Sequence, residues 1–235
     1  MAFIFALELS IIISVSIANA MSQLGFALFY NLLYGLIIST SVPIAIVLKK
    51  HEPLKALGAK KMGSRQWAVL LIFVVASIGG QVIPKLAIGE TINFYLLPQC
   101  VLPLIMTTFF EEFFFRGFVQ TRAEKRFGAV AAVILSGFLF SIYHLGYPGF
   151  RTVPDIVLLF AVGIGFALSY KLSGNNLFVA YFVNLPNALL TYCLKESQFP
   201  VFTELSSVLA VITIFLIALL FAALRKRWDT PTSQA

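Results

Sequence analysis

The sequence predicts an all-α polytopic membrane protein, a bundle of about eight transmembrane helices with both termini cytoplasmic. Three observations predict it. The chain of 235 residues is 60% hydrophobic and only 11% charged, with a mean hydropathy of +0.93; soluble domains run near 45–50% apolar and about 25% charged. Its apolar stretches approach the roughly 20 residues that a spanning helix needs. Its basic residues fall on alternate connections, as they do where one side of a bundle is cytoplasmic.

The expected spans lie near 3–20, 24–48, 67–86, 94–115, 129–146, 154–171, 176–194 and 204–224. In the first, Ala18-Asn19-Ala20 resembles a cleavage site, but the missing basic start and Glu8 favour a span over a signal peptide. After the second come Lys49, Lys50, Lys55, Lys60, Lys61 and Arg65, with Trp67 as an interfacial anchor. Arg116, Arg122, Lys125 and Arg126 close the fourth, Lys171 follows the sixth, and Arg225-Lys226-Arg227 follows the eighth. The opposite side receives only Lys85, Arg151 and Lys195. This distribution accounts for the net charge of +7 without nucleic acid. Residues 1–235 form a single membrane domain, with no repeat or long linker. Cys100 and Cys193 lie in or near apolar runs and suggest neither a disulfide framework nor a zinc knuckle.

Polar groups at membrane depth carry the chemistry. Glu111 and Glu112 sit among phenylalanines, where a carboxylate costs roughly 2.5–3.5 kcal/mol on insertion scales. Arg116 is one turn beyond Glu112 and is placed to pair with it. Glu111 and His144 lie at matching distances, roughly 24 Å, on either side of an expected hairpin turn at Arg126-Phe127-Gly128. Antiparallel neighbours then bring carboxylate and imidazole to one level. Asn184 and Asn187 are a turn apart on a later helix, which Pro186 should kink. A carboxylate, an imidazole and amide donors shielded from water make a hydrolase set, in which the glutamate takes a proton from water and the donors stabilise an oxyanion. No Gly-x-Ser-x-Gly or other serine or cysteine nucleophile pattern is present. The bland alternatives are an ion pair at a helix end, a core histidine and amides that glue helices together. Gly163 and Gly165 read as helix packing and His51 as a solvated loop residue.

Glu111-Glu112-x-x-x-Arg116 followed by Phe140-x-x-x-His144 resembles the first two motifs of the CPBP family. That family holds the type II CAAX prenyl endopeptidases and the bacterial bacteriocin-processing or immunity (Abi) proteins. The resemblance covers mainly residues 100–195, with a motif-bearing core at about 94–195. It implies an eight-helix intramembrane protease with a cytosol-facing cavity. Glu111 would activate water, Glu112 and Arg116 would shape the site, and His144 would be the histidine of the second motif. The third motif, a histidine followed a turn later by Asn or Asp, departs here. The chain's two histidines are His51 and His144, so Asn184 stands in the histidine slot and Asn187 near the following polar one. A shifted alignment puts Ala180 and Asn184 in those slots; the first is preferred because the Ser173-Gly174-Asn175 turn then lies at the usual distance. A divalent metal such as zinc would draw on Glu111 and His144, whereas hydrolytic zinc normally has three protein ligands.

The expected function is therefore hydrolysis of a peptide bond by glutamate-activated water, in a bacterial cytoplasmic membrane. The expected partners are membrane lipid and a peptide or prenylated-protein substrate or a membrane protein, with no nucleic acid. The competing readings are a catalytically silent member acting in bacteriocin immunity or membrane-partner regulation, and a small proton-coupled transporter. The absence of paired half-repeats with broken helices argues against the transporter.

Overall fold

A computed structural model describes residues 2–87, 89, 92, 94–149, 151–193, 212 and 216, and every regular element among them is helical. Seven principal helices follow in order. α1 is Ala2–Ala18 and α2 is Gln23–Lys49. α3 is Ser64–Ala87. α4 occupies 97–127, α5 is Ala129–Tyr143, α6 is Val153–Leu172 and α7 is Leu177–Cys193. Of the expected span at 204–224 only residues 212 and 216 are described, and the basic cluster after it lies outside the described residues.

Among the described residues, four stretches are long and apolar enough to cross a membrane: Gln23–Lys49, Ser64–Ile83, Ala129–Gly146 and Asp155–Leu172. Phe3–Ala18 and Leu177–Thr191 are apolar but shorter. α4 is longer than the expected span at 94–115, and its charged cluster depresses its hydropathy. It begins as α-helix over Leu97–Glu111, widens into π-helix over Glu112–Gln120, and returns to α-helix over Thr121–Phe127. All nine residues of the π stretch are buried, so α4 is the central helix of the bundle. A helix apolar or covered on every side is the expected occupant of such a position.

Local chemistry sets the boundaries. Gly128, at φ +83°, closes α4 by donating its N–H to Glu124 O and turns the chain into α5, at the place expected for the hairpin. α6 opens on a capping box between Thr152 and Asp155, which satisfies two of the orphan N–H groups of its first turn. It ends where Gly174 and Asn175 take positive φ. α7 opens with Asn176 Oδ1 accepting from Phe178 N at 3.0 Å.

α5 and α6 pack at two glycines. A Cβ on Gly163 would lie 2.9 Å from Gly137 O and 3.0 Å from Gly137 Cα, a backbone approach that small residues permit in membranes. The connection from α2 to α3 is not merely solvated. Leu57 is buried, Leu177 N donates to Gly58 O at 2.8 Å, and Leu57 O would lie 2.7 Å from a Cβ on Gly117. This connection therefore rests on α4 roughly 9 Å along the helix from Glu111. The basic ends of α2, α4 and α6 meet on this one face. Glu52 pairs with Arg122 at 3.0 Å and Lys125 at 3.7 Å, and Glu124 pairs with Lys171. At the opposite end, Ser16 of α1 and Asn19 just beyond it donate to Gly146 O.

Candidate active site

Three helices meet around Glu111. From α5, the Tyr143 hydroxyl donates to Glu111 Oε1. From α7, Asn184 Nδ2 donates to Glu111 Oε2 at 3.1 Å and to Glu112 Oε1 at 2.8 Å. Glu111, Glu112, Tyr143 and Asn184 are all buried. The level predicted from the Gly128 turn is thus the right one, but the α5 residue that reaches Glu111 is Tyr143, one position before the histidine.

Glu112 and Arg116 pair as their spacing predicts, with Arg116 Nη1 3.2 Å from Glu112 Oε1 and both side chains fully buried. The contact is close without hydrogen-bond alignment, since neither Arg116 Nη1 nor Glu112 Oε2 has a hydrogen-bond partner among the described residues. Arg116 is fixed instead by Nη2 donating to Gly163 O at 3.0 Å and by Phe140, whose ring centroid is 4.5 Å from Cζ. Gly163 therefore serves twice: it lets α6 approach α5 and it presents a carbonyl to the guanidinium. One turn on, Gln120 Nε2 repeats the contact by donating to Ala167 O at 2.9 Å.

His144 begins the single 3-10 turn that ends α5. Its ring is partly exposed, 4.2 Å from Tyr143 and 4.9 Å from Phe140 between centroids. Nδ1 lies 2.7 Å from Phe140 O. A carbonyl only accepts, so the proton belongs on Nδ1 and the lone pair on Nε2. Tyr30 of α2 and Tyr147 stack edge-on at 6.1 Å beside Tyr143 and complete an aromatic wall with Phe110.

Asn187 turns away from this cluster. Its Nδ2 donates to Ser77 Oγ on α3 at 2.8 Å, and its carbonyl lies 3.4 Å from Gln81 Nε2 and 2.8 Å from Thr191 Oγ1. Three residues advance a helix by roughly 300°, so Asn184 and Asn187 face adjacent neighbours. Asn184 meets the glutamates, whereas Asn187 belongs to a polar seam that fastens α7 to α3.

The expected metal does not suit these donors. Among the described residues, no three His, Cys, Asp or Glu side chains converge to hold an ion. The tautomer of His144 is one that metal-bound histidines take. The carboxylate oxygens of Glu111, however, are turned to the hydrogen-bond donors of Tyr143 and Asn184.

Residues 93–189 match the family model described as Type II CAAX prenyl endopeptidase Rce1-like. Over this segment the chain is similar to the CAAX-protease family. The matched stretch contains all of α4, α5 and α6, the donors Tyr143 and Asn184 that hold Glu111, and most of α7. The family is one of membrane proteases acting on protein or peptide substrates. No curated protein matches the chain.

Proposed function

We propose that the chain is an intramembrane endopeptidase of the CAAX-protease type that hydrolyses a peptide bond with water activated by Glu111. The observation that carries this reading is the unequal treatment of two adjacent buried carboxylates. Glu112 has a counter-cation in Arg116, while the hydrogen-bond partners of Glu111 among the described residues are two neutral donors from two other helices. A carboxylate without a counter-cation is the better proton acceptor, and one held by two donors has a fixed orientation.

In the proposed reaction Glu111 takes a proton from water as the oxygen attacks the scissile carbonyl, and gives that proton to the leaving amine as the tetrahedral intermediate collapses and the C–N bond breaks. Tyr143 and Asn184 hold the two carboxylate oxygens and keep the base aimed. Asn184 spends both amide hydrogens on the two glutamates, so it acts on the base more directly than on an oxyanion. His144, with its lone pair on Nε2, takes up a proton or, once protonated, donates to the tetrahedral oxygen. Glu112 and Arg116 supply a neutral, rigid floor.

The substrate is proposed to be a peptide or prenylated protein reached from the basic face. The full architecture is proposed as eight spans with both termini on that face, in a bacterial cytoplasmic membrane. The convergence of the basic ends of α2, α4 and α6 supports this orientation.

The test is cleavage of a fluorogenic prenylated CAAX peptide by the full chain in liposomes, with and without a chelator. Glu111→Gln should abolish turnover at unchanged protein level, and the chelator should leave wild-type turnover intact. Turnover by Glu111→Gln equal to that of wild type would overturn the proposal.

A further inference from the structure

The α2–α3 connection is a folded basic platform. Positive charge in a cytoplasmic loop needs no particular shape to orient a membrane protein. This loop nevertheless has one. Gly58 adopts φ +84°, and Asn176 Nδ2 donates to Lys60 O at 3.2 Å and Lys61 O at 3.1 Å. Lys60 Nζ in turn donates to Gly174 O at 2.7 Å. Together with the buried Leu57, these bonds hold the backbone between 57 and 61 against the α6–α7 turn.

The acids on this face are already committed. Among the described residues they are Glu52, which pairs with Arg122 and Lys125, and Glu124, which pairs with Lys171 and accepts from Asn175 Nδ2. Lys49, Lys50, Lys55, Lys60, Lys61 and Arg126 are exposed, and among the described residues none of them has a carboxylate within ion-pairing distance. Leu54 and Trp67, 49% and 58% exposed, lie in the same segment. Fixed cations beside an exposed indole and leucine form a surface matched to a layer of anionic phosphates above acyl chains.

We propose that this platform binds the phosphate headgroups of anionic phospholipids in its own leaflet. The occupant is lipid rather than an acidic protein because the cations sit at the ends of membrane helices, where headgroup phosphates are the nearest anions. Fixing the loop backbone in advance lowers the ordering cost of gathering several phosphates. The proposal does not depend on proteolysis.

The experiment uses the full-length protein in neutral detergent, titrated with phosphatidylglycerol or phosphatidylcholine, with retained lipid read by native mass spectrometry. The wild type should retain phosphatidylglycerol preferentially. The triple variant Lys50→Gln, Lys55→Gln, Lys61→Gln should weaken that preference by about fivefold for each lysine, roughly a hundredfold in all. Lys49, Lys60, Arg122 and Lys125 remain to orient the chain, and an unchanged thermal midpoint in phosphatidylcholine confirms the fold. In the wild type, 0.5 M salt should reduce the preference by screening alone, which keeps the proposal testable if the triple variant misfolds. Equal retention of the two lipids, an unaltered preference in the folded triple variant, or displacement of phosphatidylglycerol by millimolar inorganic phosphate would each overturn it.

Discussion

Removing Arg116 should harm the protein more than removing Arg116 and Glu112 together. The pair is fully buried, with Nη1 3.2 Å from Glu112 Oε1. Replacing Arg116 with Met leaves Glu112 held by a single amide donor, that of Asn184. Breaking a buried pair from one side costs about 3–5 kcal/mol. Part of that loss is independent of Glu112: the bond to Gly163 O and the contact with Phe140 at 4.5 Å account for about 1–3 kcal/mol. The double variant Glu112→Gln, Arg116→Met loses the same contacts but carries no orphan charge. It should retain about 2 kcal/mol of the stability that Arg116→Met forfeits. Neighbouring effects that merely add agree within about 0.3–0.5 kcal/mol, so the difference is measurable. Thermal unfolding of the purified single and double variants in one detergent, analysed as a double-mutant cycle, provides the value. A double variant as unstable as the sum of its singles would refute the argument.

Tyr143→Phe removes the donor to Glu111 Oε1; a hydrogen bond to a charged group is worth about 1.5–3 kcal/mol, so turnover should fall roughly 10- to 100-fold while the protein remains folded, as judged by circular dichroism. Asn187→Leu, which cuts the seam to Ser77, should cost about 0.6–1.7 kcal/mol in unfolding experiments and leave turnover per folded molecule within a few-fold, whereas Asn184→Leu should suppress turnover strongly. Gly163→Ala places a methyl 2.9 Å from Gly137 O and 3.0 Å from Phe140 Cδ1, where the backbone contact cannot yield, so a thermal melt should register a loss of about 1–3 kcal/mol. Gly117→Ala should push Leu57 O from its 2.7 Å approach and expose the 53–62 segment to limited proteolysis, while a cleavage rate equal to wild type would contradict the packing described.

The depth of the site was legible because charge in an apolar helix is conspicuous and helical rise converts residue counts into levels. Glu111, Tyr143 and Asn184 do meet, and the Glu112–Arg116 pair follows from spacing alone. Azimuth was less legible. One residue turns a helix by about 100°, and α5 changes to a 3-10 turn at His144, so Tyr143 rather than His144 reaches Glu111. The same rotation sends Asn187 to α3. Tyr143 had a usable signal, a phenol at the level of a buried carboxylate, but tyrosine is too common in membrane helices to be singled out. The loop at 49–66 has the composition of a solvated or interfacial segment. Its burial of Leu57 depends on Gly117, a partner about 60 residues later in the sequence, which local patterns do not encode.

The π winding of Glu112–Gln120 gives this stretch a tolerance of chain length that plain α-helix lacks. A π turn closes on the fifth residue rather than the fourth, so it holds one residue more than an α turn in nearly the same height. Deleting any one residue between 112 and 120 would let α4 rewind as plain α-helix. Residues 97–111 and 121–127 would keep nearly their present register, because the π turn absorbs the residue that is lost, and the side chains inside the stretch would turn to new faces. Loss of one codon there would therefore leave Glu111 near Tyr143 and Asn184, whereas the same loss in a plain α-helical stretch would rotate everything beyond it by about 100°.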